Sequence, residues 1–149
     1  MITHSKRLLR KVETYIKYIS KPQKLWNGNP ICPGLADYRH EIQVLPAVGN
    51  LEDQINQICW MMHPLNIPAV VIATGMPPTN LYDITDAALT LHPGIEIFVN
   101  DPNKKGKIKG VYTGFAHGWL IIIQRSDLLQ KSQEKAKKQG YYTQKNQDE

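Results

Sequence analysis

A chain of 149 residues and formal charge +5, with 42% hydrophobic and 21% charged residues, has the length and apolar content of a single globular domain with one core. Its longest apolar run, Trp119 to Ile123, is five residues, far short of the ~20 a membrane helix needs, and no apolar segment of secretory type follows the charged residues near Met1. Two cysteines, Cys32 and Cys59, cannot build a disulfide framework, so a reduced, cytoplasmic protein is expected.

Residues 4–20 predict an amphipathic helix. Leu8, Leu9, Val12, Tyr15, Ile16 and Ile19 recur at helical spacing, and Lys6, Arg7, Arg10, Lys11 and Lys17 fall mostly on the other side. From Lys21 to Leu35, Pro22, Gly28, Pro30, Pro33 and Gly34 impose a loop or extended crossing, in which Pro33 can begin a short helical turn. Alternation at Glu41 to Leu45 predicts a first strand, ended by Gly49. Asn50 is placed to cap a helix that turns Leu51, Ile55, Ile58 and Met62 inward.

The continuous apolar run Ala69 to Ala73 predicts a strand buried on both faces. Gly75 to Pro78 breaks the chain, and Thr79 or Asn80 caps a helix carrying Leu81, Ile84, Ala88 and Leu91, stopped at Pro93-Gly94. Ile95 to Val99 predicts a third strand, followed by a lysine-rich loop. Val111 to Phe115 and Trp119 to Ile123 then predict a hairpin about Ala116-His117-Gly118, and Ser126 or Asp127 caps a last helix. The expected fold class is therefore α/β: a small sandwich whose mixed sheet of about five strands has its first three parallel, with a C-terminal antiparallel hairpin as its edge. Residues 1–140 form the expected domain and 141–149 a polar tail.

Charge is not spread evenly. Residues 1–24 hold seven bases against one acid, whereas residues 25–100 hold Arg39 alone against seven acids. A basic opening helix and lysine-rich tail are ordinary solvated faces, so nucleic acid is a possible but not the favoured partner. In parallel sheets, ligands gather beyond the carboxyl ends of the strands. This rule nominates Asn50, Thr74, Gly75, Thr79, Asn80, Asn100 and Asp101; two of these loops lead into helix N-termini that favour an anion, and Lys104 and Lys105 on the third supply positive charge. An anionic small molecule is the sharpest expectation, and a protein partner at the same edge is carried beside it.

Phosphate-loop and dinucleotide motifs are missing, so no cofactor is assigned. The segment from Asp101 begins like a calcium loop but places Lys105 at the fifth ligand position and Tyr112 at the twelfth, where a glutamate is required. Cys59 and His63 share a helix face. With Cys32 and His40 they lack the paired spacing of a zinc site, so no metal is expected. Asp83 and Asp86 read as a solvated helix face, and no G-x-S-x-G elbow accompanies the four serines.

The second function class is a thiol enzyme. Cys32, beside a helical turn starting at Pro33, would be the nucleophile, with His40 as base and His63, His92 and His117 as further candidates. The segment Trp26 to Asp37, with Asn29, Cys32 and Pro33, resembles a family of small uncharacterised bacterial proteins that carry an N-L-C-P-F segment after an opening helix. The apolar strand at Val70 to Thr74, the Asp86-Ala87-Ala88-Leu89 stretch and the closing Arg125-Ser126-Asp127-Leu128 extend that likeness. Gly34 stands where the family has an aromatic residue, and Pro30-Ile31 lengthens the Asn-to-Cys spacing by one. The resemblance implies an α/β fold and draws attention to Cys32.

Overall fold

A computed structural model describes residues 4–22, 30–104, 107–108 and 111–139, so the expected polar tail at 141–149 and Lys105 lie outside the described residues. The chain forms α1 (His4–Ser20), α2 (Pro33–Asp37), a 3₁₀ turn at Arg39–Glu41, β1 (Gln43–Pro46), α3 (Leu51–Met62) and β2 (Ala69–Thr74). Then come α4 (Leu81–Leu91), β3 (Ile95–Asn100), β4 (Lys107–Ile108), β5 (Val111–Tyr112), β6 (Trp119–Arg125) and α5 (Ser126–Lys138).

The main sheet has four strands in the order β1-β2-β6-β3. β1 and β2 pair in parallel, while β6 is antiparallel to both β2 and β3. The first three strands therefore run the same way, but only β1 and β2 are bonded to each other as parallel neighbours. The expected edge hairpin does not form. β5 pairs with β4 in a separate two-stranded ribbon, and β6 inserts into the middle of the sheet. The reason is hydrophobicity: Leu120, Ile121 and Ile123 are fully buried, and an edge position would leave such a run half solvated.

α3 and α4 cover one face of the sheet. Leu51, Ile55, Cys59 and Met62 of α3 and Leu81, Ile84 and Ala88 of α4 pack on Val70, Ile72, Ile121 and Ile123. Two crossovers of the same hand stepping the same way along a sheet put both helices on one side. The alternate residues of β2, Val71 and Ala73, face Val12 and Ile16 of α1 on the other side. There α2 and α5 complete the layer. Ile19 and Leu35 pack on Ala69, and an added Cβ on Gly34 would stand 2.7 Å from Leu129 Cδ1 of α5.

Capping follows the sequence closely at α3, where the Asn50 side chain accepts from the Asp53 N–H at 3.1 Å. Asn80 is the N-cap of α4 but makes no side-chain cap. At α5 the N-cap is Arg125 rather than Ser126 or Asp127; Asp127 lies in the first turn and pairs with Arg125 at 2.7 Å.

Candidate functional site

Because β1, β2 and β3 point the same way, their carboxyl ends meet on one edge of the sheet. The antiparallel β6 starts on that edge, with Trp119 opposite Thr74 and Leu120 opposite Asn100. The residues just before β6, Ala116 to Gly118, thus come to the same edge.

Among the described residues, one cleft opens there on each side of the sheet. The first, of 450 Å³, lies between the N-termini of α3 and α4 and gathers Gly49, Asn50, Thr74 and Asn80. Three of the nominated residues, Asn50, Thr74 and Asn80, line this cleft. Yet Glu52 lines this cleft, Asp53 also sits in the first turn of α3, and Asp83 sits in that of α4. These carboxylates already answer the helix dipoles and disfavour an added anion.

The second cleft, of 410 Å³, lies between α1 and the ends of β1 and β2. Arg7, Lys11, Ala47, Thr74, Gly75 and His117 line it. Gly75 faces open space, and Thr74 accepts from the Met76 N–H through Oγ1 at 3.3 Å. Gly118 allows α1 to approach: an added Cβ would stand 3.1 Å from Leu8 Cδ1 and 3.2 Å from the Thr74 carbonyl oxygen.

Electrostatics separate the clefts. α1 carries Lys6, Arg7, Arg10 and Lys11 in its N-terminal half and no acid in its first turn. Positive side chains at the positive end of a helix dipole oppose local stability. Among the described residues, no carboxylate pairs with Arg7 or Lys11.

Among the described residues, the remaining nominated ones line neither cleft. Asn100 clamps the segment before β6: its Oδ1 accepts from the Phe115 N–H at 3.1 Å, and its Nδ2 donates to the Phe115 carbonyl at 2.9 Å. Asp101 accepts from the Asn103 N–H at 2.8 Å, forming a local turn, and Thr79 is exposed in the turn before α4. Lys104 is exposed on the loop after β3, and β3 itself lies two strands, or ~10 Å, along the sheet from β2. Lys104 lines neither cleft.

Cys32 is the N-cap residue of α2 and packs against the Ile19–Leu35–Ala69 cluster, making no capping hydrogen bond of its own. Burial pushes its thiol up, and the N–H groups of Leu35 and Gly34 offset only part of this. Burial likewise pushes the Cys59 thiol up to about 11. His40 lines a separate 300 Å³ cleft with Glu13, Lys17 and Arg39, and no hydrogen bond joins it to Cys32 among the described residues. Among those residues, no group of three or more His, Cys, Asp or Glu could hold a metal ion. None of their helices is long and apolar enough to cross a membrane.

Of the residues lining this cleft, the sequence offered His117 only as a candidate base or ligand contact and did not single out Arg7 or Lys11. The available signal was the run of bases in the N-terminal half of α1, whose first turn holds no acid. Comparison with protein-family models, characterised proteins and solved structures finds no match.

Proposed function

We propose that this protein binds a small anionic ligand, carrying a phosphate or carboxylate, in the cleft between α1 and the carboxyl ends of β1 and β2. The observation that carries the reading is the convergence of Arg7, Lys11 and His117 over the open end of β2 at Gly75. Arg7 and Lys11 supply charge, and Arg7 can grip two oxygens of a phosphate or carboxylate at once. His117 is exposed and reaches the same space. A volume of 410 Å³ is that of a small-molecule site.

Thermal denaturation at low ionic strength with inorganic phosphate, pyrophosphate and citrate tests the reading. A ligand present at 100 times its Kd adds about 2.7 kcal/mol to stability and raises Tm visibly. At least one of these anions raises the Tm of the native chain; the Arg7→Ala, Lys11→Ala double variant loses the rise, and Lys104→Ala keeps it. An equal rise in the double variant, or none with any anion, would overturn the reading.

A further inference from the structure

The cationic cleft does not end at His117. It continues along the flank of α1 into a second depression of 530 Å³, and Lys11 and His117 line both. The character changes along this path. The floor of the second depression is Phe115, only 3% exposed. Tyr15 tilts against that ring at a centroid distance of 5.3 Å, and His117 meets it edge-on at 5.6 Å. Tyr18, 37% exposed, stands at the far end, and Arg10 lies on the rim.

The helix explains the continuity. Arg7, Lys11, Thr14 and Tyr18 are spaced by four, three and four residues and fall on one stripe of α1. From Lys11 to Tyr18 the stripe rises ~10 Å, comparable to the length of a mononucleotide. The opposite wall is held from the sheet. Asn100 bonds both the N–H and the carbonyl of Phe115, and the Tyr15 hydroxyl donates to the Thr113 carbonyl. The aromatic floor is therefore fixed in place.

A ligand that fills both parts has an anionic end and a flat π system a few ångströms away. A sugar phosphate leaves the aromatic part empty, and a neutral aromatic leaves Arg7 and Lys11 unanswered. We infer that the ligand is a nucleotide unit, its phosphate between Arg7 and Lys11 and its base against Tyr18 and His117 above Phe115. This deepens the anion-binding reading and rests on it. Basic side chains interleaved with aromatic rings are the means by which proteins hold nucleotides without a phosphate loop, whether the unit is free or part of a single strand.

Calorimetric titration at low salt with inorganic phosphate, ribose 5-phosphate, AMP, UMP and an octauridylate tests this. Stacking of one base makes AMP bind about tenfold or more tighter than ribose 5-phosphate. Tyr18→Ala removes most of that advantage and leaves phosphate binding unchanged, Tyr18→Phe restores it, and Arg7→Ala weakens all the phosphates together. Octauridylate binding more tightly than UMP, with a steep salt dependence, assigns the unit to single-stranded nucleic acid; matching affinities assign it to the free nucleotide. Equal affinity of AMP, UMP and ribose 5-phosphate in the native chain, with no added affinity for the octamer, would overturn the nucleotide inference while leaving anion binding intact. No binding of any phosphate would remove the anion reading as well.

Discussion

Single side chains decide which parts of the sheet edge are open to a ligand. Asn100 resembles a ligand contact by position, but both ends of its amide are bonded to the segment before β6. Asn100→Ala leaves the Phe115 N–H and carbonyl without that partner, and a buried unsatisfied group costs about 1–3 kcal/mol. The urea midpoint of Asn100→Ala therefore falls, and because Phe115 and His117 shift with the segment, its phosphate affinity falls too. Cys32 teaches the converse. A thiol beside a helix start gains reactivity only if donors outweigh desolvation, and here burial prevails. Iodoacetamide labels both cysteines of the folded chain at neutral pH more slowly than it labels free glutathione; rapid, selective labelling of Cys32 would restore the thiol-enzyme alternative.

At the scale of elements, α1 and β6 build the site between them. The apolar stripe of α1 was legible in the sequence because Val12, Ile16 and Ile19 recur at helical spacing, and all three are buried. The same helix turns Arg7 and Lys11 toward the sheet edge, which periodicity alone cannot distinguish from a solvated face. β6 was legible as a strand but not in its position. Its apolar run carries the same signal that marked β2 as central, and local contiguity with β5 argued for a hairpin instead. Tertiary packing favours burial on both faces, and Ile121→Ala is expected to cost about 2–5 kcal/mol, read as a loss of chemical stability. α2 and α5 meet through Gly34, where an added methyl also stands 2.9 Å from Gln124 Oε1. Gly34→Ala overpacks this contact and lowers stability by about 1–3 kcal/mol without altering phosphate affinity.

For the molecule as a whole, acid sensitivity follows from one buried imidazole. His92 is buried at the end of α4, with Nε2 2.9 Å from Asn56 Oδ1 and Trp60 set edge-on at 5.1 Å. Burial holds its pKa below the ordinary histidine value. In the unfolded chain the same group titrates near 6.5, so below that pH the unfolded state takes up a proton that the folded state resists. Stability is full above about pH 6.5 and declines as pH falls through and below it. Urea midpoints measured from pH 8 to pH 5 decline accordingly, and His92→Gln flattens the decline. An unchanged slope in that variant would assign the effect to other groups.

The net charge of +5 takes its meaning at this same scale. Local sequence determined the helices, the core strands, the cap of α3 and the shared edge of the strand ends, because each depends on neighbours within a few residues. Of the strand-end residues it nominated, Thr74, Gly75, Asn50 and Asn80 line clefts at that edge. Only the tertiary structure decided which cleft is cationic. Lys104 follows β3, which lies ~10 Å along the sheet from β2 once β6 has inserted. Arg7 and Lys11, 63 or more residues from Thr74 in sequence, are instead brought beside it by the packing of α1. Periodicity reports which face of a helix is apolar; which strand ends its charges overlook depends on long-range packing, to which no local pattern refers.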